Sequence, residues 1–132
     1  MNAIIGIGVI ILAYVIGSIP FGLLVVRITT GKDIRAVESG RTGGTNVMRA
    51  AGAWAGLVTG ILDVLKGASA VWLSRWLVPC NHIWCEIVAP IAAILGHNYS
   101  IFLVERNERG RLRLRGGAGG APSLGGAIGI WW

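Results

Sequence analysis

An all-α, multi-pass transmembrane helical bundle is the fold class this sequence predicts, and three observations predict it. Of 132 residues, 54% are apolar and only 14% charged, where soluble domains carry about 25% charged residues. The mean hydropathy is +0.67. Long apolar stretches recur along the chain, and short segments rich in arginine separate them.

The first stretch, Ala3 to Val26, holds no charge, and a helix needs about 20 such residues to cross a bilayer. A signal peptide would begin with a basic segment and carry a shorter apolar core, so a span over about 3–26 is predicted. A second span covers about 51–78 and includes Asp63, Lys66 and Arg75. A third covers about 87–104 with Pro90 inside it, and a partial fourth covers 121–132. That last segment would rise roughly 16–18 Å as helix against a hydrocarbon core of about 30 Å, so a single integral-membrane domain, incomplete at its C-terminal side, is expected.

Cytoplasmic loops carry the excess of arginine and lysine. Arg27, Lys32, Arg35, Arg41 and Arg49 fall after the first span, and Arg106, Arg109, Arg111, Arg113 and Arg115 after the third, with only Arg75 near the loop between. Both basic loops are therefore predicted to be cytoplasmic and the N-terminus outside. The net charge of +6 then acts beside the membrane, where it attracts lipid headgroups or anionic substrates. No nucleic-acid-binding motif accompanies it, which excludes that class of partner.

The intervening loop holds Cys80, His82, Cys85 and Glu86, flanked by Trp72, Trp76 and Trp84. A disulfide is chemically permitted outside the cell, but the spacing matches no standard metal site, so no metal is predicted. Tryptophans at headgroup level support the topology alone.

Asp63 and Lys66 are three residues apart and share a helix face. Charges at membrane depth either lock helix packing or support a site, and both readings stay open. His97, near the end of the third span, is a candidate proton carrier or a packing residue.

After His97 the pattern changes period. Arg111 to Arg115 alternate arginine and leucine, which predicts a strand rather than a helix, and with Asn107 to Gly110 as the turn a small hairpin is expected within 102–115. It leads into Gly116, Gly117, Ala118, Gly119 and Gly120, a backbone free enough to turn its amides toward an anion ahead of a helix N-terminus.

The first basic loop contains "SGRTGGTNVMR", Ser39 to Arg49. It is not a Walker loop, which needs a lysine in a set order. Gly43, Gly44, Thr45 and Asn46 nevertheless supply close backbone approach and polar donors, and arginine forks suit oxyanions. The residues alone leave two readings: an anion site, or a membrane-hugging turn that satisfies its own backbone.

Five segments in order, "GSIPFG" (17–22), "SGRTGGTNVMR" (39–49), "LDVLKG" (62–67), "GHNYSIF" (96–102) and "RGGAGG" (115–120), resemble the bacterial acyl-phosphate:glycerol-3-phosphate acyltransferase family, PlsY. The resemblance implies a multi-pass enzyme of the bacterial cytoplasmic membrane that moves a fatty acyl group from acyl phosphate to glycerol 3-phosphate. The product would be lysophosphatidic acid, the chemistry needs no cofactor, and the partners are the two substrates and the bilayer. A non-catalytic relative that binds anionic lipid or phosphate is the alternative.

The resemblance implies that Ser39 and Arg49 are essential. In the mechanism expected from these residues, substrate phosphate or His97 accepts the proton, Arg49 and the backbone of Gly43, Gly44, Thr45 and Asn46 hold one phosphate, and Arg115, Gly116, Gly117 and Gly119 hold the other, with Asp63 and Lys66 as an ion pair or support. Arg41, Gly44 and Ser100 depart from the pattern, and Ala118 stands where it has a lysine. Further spans and a third motif with a histidine and an asparagine are expected beyond Trp132.

Overall fold

The computed structural model describes residues 2–78, 83–107 and 109–132. Six helices and one hairpin follow each other: α1 Asn2–Ser18, α2 Phe21–Thr30, a 3-10 turn Ile34–Ala36, α3 Gly44–Ala51, α4 Ala53–Leu77, α5 Ile83–Asn98, β1 Ser100–Arg106, β2 Leu112–Arg115 and α6 Gly120–Trp131. Cys80 and His82, the expected disulfide and metal candidates of the second loop, lie outside the described residues.

The segment expected as one span over 3–26 is two helices, because Pro20 has no amide hydrogen and its ring crowds the carbonyl four residues back. The break leaves carbonyls without helical partners, and other elements fill them. Lys66 Nζ of α4 donates to the Ile19 carbonyl at 3.1 Å, and the Ser100 hydroxyl donates to the Ser18 carbonyl. The 28 residues from Ala3 to Thr30 and the 25 of α4 are long and apolar enough to cross a membrane.

The expected span over 51–78 begins at a similar break. Gly52, with φ of +90°, ends the short α3 and lets α4 leave in a new direction, so α3 carries part of the "SGRTGGTNVMR" loop as an amphipathic helix. The apolar run 87–104 is likewise not one helix. Helix α5 stops at Asn98, and the β-branched and aromatic residues that follow pair as a strand instead. Their partners are the alternating residues of β2, antiparallel in register Val104 to Leu114, Glu105 to Arg113 and Arg106 to Leu112. The hairpin expected within 102–115 is thus present, and its first strand starts earlier, at Ser100.

Helix packing relies on small residues, as between helices in lipid. A methyl group on Gly17 would sit 2.1 Å from the Ala93 carbonyl oxygen, and one on Gly96 2.2 Å from that of Tyr14, so α1 and α5 touch backbone to backbone. Ala13, Ala70, Ala89 and Ala93 fill the core around this crossing. Large apolar side chains such as Ile4, Ile7, Ile61, Leu95 and Ile128 face outward.

Arg75, near the end of α4, pairs with Glu86 of α5 at 2.7 Å and donates to the Gly129 and Ile130 carbonyls at 3.0 and 2.8 Å. It thereby satisfies carbonyls that the last turn of α6 leaves open. The two arginine-rich loops meet at the other end of the bundle. Arg35 bonds Glu105 across them at 3.3 Å, and the Thr42 amide donates to the Gly116 carbonyl at 3.4 Å.

Candidate active site

Ser39 sits at the tip of a turn that the sequence builds from positive-φ residues, Glu38 at +44° and Gly40 at +65°. The Gly40 amide closes the turn on the Val37 carbonyl at 2.8 Å. Asn46, buried in the first turn of α3, then clamps it: its side-chain nitrogen donates to the carbonyls of Val37 at 3.0 Å and Arg41 at 2.9 Å. Both amide hydrogens of Asn46 are spent on the loop. The phosphate donor expected of this side chain is therefore a strut that holds Ser39 exposed.

The glycine run packs against His97. A methyl on Gly117 would stand 1.9 Å from His97 Nε2, and one on Gly116 2.0 Å from the His97 carbonyl oxygen, so only glycine lets this strand of backbone lie on the histidine. The Gly117 amide donates to that carbonyl at 2.9 Å. Gly119 then turns with φ of +84° to start α6.

On its other side His97 faces Asp63, with Nδ1 3.5 Å from Oδ1. The same oxygen lies 2.9 Å from Lys66 Nζ. Asp63, Lys66 and His97 are 1%, 3% and 5% exposed, and Lys66 lies 5.5 Å over the Phe21 ring. Of the pair expected as a packing lock or a site support, Lys66 reaches back to the Ile19 carbonyl and Asp63 lies beside the histidine.

A second cluster organises the loops. Glu105 holds Arg115 at 2.9 Å and Arg35 at 3.3 Å, and Arg35 grips Asp33 at 2.6 Å. The hydrogen bond from Arg35 lowers the Asp33 carboxyl to about 2, against some opposition from partial burial. Glu105, near the end of β1, was not foreseen from sequence, where Glu108 follows it three residues later and nothing local singles it out.

Two open grooves meet at this end of the bundle. The larger, about 760 Å³, is lined by Ser39, Gly43, Gly44, Thr45, Asn46, Asp63, His97 and Gly119, and continues along Leu57, Ile61 and Val64 of α4 to Leu124 of α6. The smaller, about 710 Å³, is lined by Ser39, Arg113, Arg115, Gly116 and Gly117. Ser39, Arg41 and Ala118 line both. The structure thus gathers the expected site residues with two exceptions. Lys66 stands behind Asp63, and Arg49 is exposed on the last turn of α3, lining neither groove. Arg41, not foreseen as a site residue, is at the junction instead, and its place two residues after Ser39 was the available signal.

Residues 7–132 match the family model described as glycerol-3-phosphate acyltransferase. A glycerol-3-phosphate acyltransferase of Thermus thermophilus is 46% identical over 115 residues, which are 87% of this chain and 52% of that protein. Glycerol-3-phosphate acyltransferase 3 of Dehalococcoides mccartyi is 38% identical over 132 residues, covering 92% of this chain and 57% of that one. The crystal structure of PlsY, an integral membrane glycerol 3-phosphate acyltransferase, in its glycerol 3-phosphate form superimposes with a TM-score of 0.77 at 32% identity, over 95% of this chain and 57% of that chain. This chain therefore spans a little over half the length of the relatives it matches.

Proposed function

The chain belongs to the glycerol-3-phosphate acyltransferase family, and from that membership we propose that the protein it represents transfers a fatty acyl group from acyl phosphate to glycerol 3-phosphate in a bacterial cytoplasmic membrane. The arginine distribution supports a topology in which the two basic loops face the cytoplasm and the N-terminus faces outside. One observation carries the reading: the larger groove joins a polar head, Ser39, Thr45 and His97, to an apolar wall of α4 and α6 residues. A phosphate with a long acyl tail has this division of character.

The reaction needs little covalent help from the protein, because an acyl phosphate already has a good leaving group and the demands are placement and neutralisation of charge. The glycerol hydroxyl oxygen attacks the acyl carbonyl carbon, the bond from that carbon to the phosphate oxygen breaks, and the hydroxyl proton passes to the departing phosphate or to His97. Ser39, exposed on its clamped turn, donates a hydrogen bond that places a substrate. Asp63 beside Nδ1 fixes the orientation of the His97 ring. Arg115, held by Glu105, and Gly116 beside it face the second phosphate from the wall of the smaller groove.

The test is lysophosphatidate formation in vesicles containing the full natural protein, acyl phosphate and glycerol 3-phosphate. Turnover that Ser39→Ala reduces at least a hundredfold is expected. Anion binding without turnover would refute the reading, and an acylated Ser39 formed from acyl phosphate alone would replace direct attack by a covalent route.

A further inference from the structure

We propose that Arg41 is the phosphate-binding cation of the larger groove, receiving a phosphoryl oxygen beside Ser39. The inference rests on the acyl-transfer reading and adds a residue to it.

The argument is one of available charge. Arg41 is the only arginine or lysine among the described residues that line the larger groove. Of the other cations nearby, Arg115 and Arg35 are committed to Glu105 and Asp33, Lys66 is committed to Asp63 and the Ile19 carbonyl, and Arg113 lines the smaller groove and not the larger. Arg41 is exposed and joins no ion pair among the described residues. Its backbone, by contrast, is fixed, since its carbonyl accepts from Asn46 and its amide points at Ser39 Oγ at 3.4 Å. A guanidinium on an anchored stem, unpaired and next to the exposed hydroxyl, is a fork without its oxyanion.

The groove also needs this charge. Asp63, the carboxylate on its wall, takes up the charge of Lys66 behind it, so among the lining residues Arg41 is the cation left to balance a phosphate. Arg49, on the far end of α3, lines neither groove. Position 118 lines both grooves with Arg41, so a cation placed there would address the same opening.

The experiment compares Arg41→Gln, Arg41→Lys and the double variant Arg41→Gln with Ala118→Lys in the full natural protein. Steady-state transfer is read together with equilibrium binding of labelled glycerol 3-phosphate and of a non-hydrolysable acyl phosphonate, which needs no turnover. Arg41→Gln is expected to weaken one of the two phosphorylated ligands roughly ten- to a hundredfold, the range of a lost charge-assisted hydrogen bond. Arg41→Lys should keep most of the affinity, and Ala118→Lys should restore part of it to Arg41→Gln. Affinities for both ligands within twofold of the parent in Arg41→Gln would overturn the inference, as would equal losses in Arg41→Gln and Arg41→Lys without recovery by Ala118→Lys. A parent protein that binds both ligands but transfers no acyl group would instead refute the acyl-transfer reading and leave the Arg41 binding result standing.

Discussion

Replacing Lys66 by methionine should unlock the bundle where it is kinked. The side chain is 3% exposed, pairs with Asp63 at 2.9 Å and satisfies the Ile19 carbonyl at 3.1 Å. Methionine keeps the volume, so the loss is electrostatic and not a cavity. Breaking one partner of a buried ion pair costs about 3–5 kcal/mol because the other charge is stranded, while the Ile19 carbonyl keeps the Phe21 amide as a donor at 3.1 Å. The expected loss is therefore about 3–5 kcal/mol. Unfolding in mixed micelles measures it. The double variant with Asp63→Asn should recover at least about 2 kcal/mol, since the stranded charge is gone. Additive losses from the two single changes would refute the account and show that water already reaches Asp63.

Two more outcomes follow from the loops. Asn46→Ala removes two hydrogen bonds that hold the Ser39 turn; at about 1 kcal/mol each, the ordered turn falls roughly thirtyfold in population, and kcat should fall more than KM rises, as steady-state assays would show. Asp33 is lowered to about 2 from 3.8, so its contribution to stability is present above pH 3.8 and lost as pH falls through about 2. The parent should exceed Asp33→Asn in thermal stability near neutral pH and converge with it toward pH 2, by about 1 kcal/mol or less because the pair is partly exposed to solvent.

How far the sequence could be read depended on whether a signal was local. The alternation of arginine and leucine at 111–115 predicted a strand because period two is a property of the strand itself, and β2 is there. The apolar run 87–104 was misread past Asn98 because hydropathy does not distinguish a buried helix from a strand, and only the partner strand decides between them. The breaks at Pro20 and Gly52 were hidden for a related reason: a proline or glycine within an apolar run is tolerated in membrane helices when other groups satisfy the freed carbonyls. At the Pro20 break those groups, Lys66 and Ser100, lie 47 and 82 residues from the carbonyls they fill. For Asn46, nothing local showed that the Val37 and Arg41 carbonyls would claim both hydrogens of its side-chain amide.

The same distances explain why the charged residues at membrane depth need not be assigned to either stability or chemistry. Lys66 donates to the Ile19 carbonyl at the Pro20 break, Asp63 neutralises Lys66, and the same Asp63 oxygen faces the His97 ring that Gly117 covers. The contacts are linked because these groups are buried and polar, and burial without a partner is costly. A kink near the start of the sequence therefore sets the position of a histidine in the groove. Changes at Lys66 should act on His97 as well as on folding, so activity lost in Lys66→Met should return in the Asp63→Asn double variant only to the extent that the ring no longer needs the carboxylate to orient it.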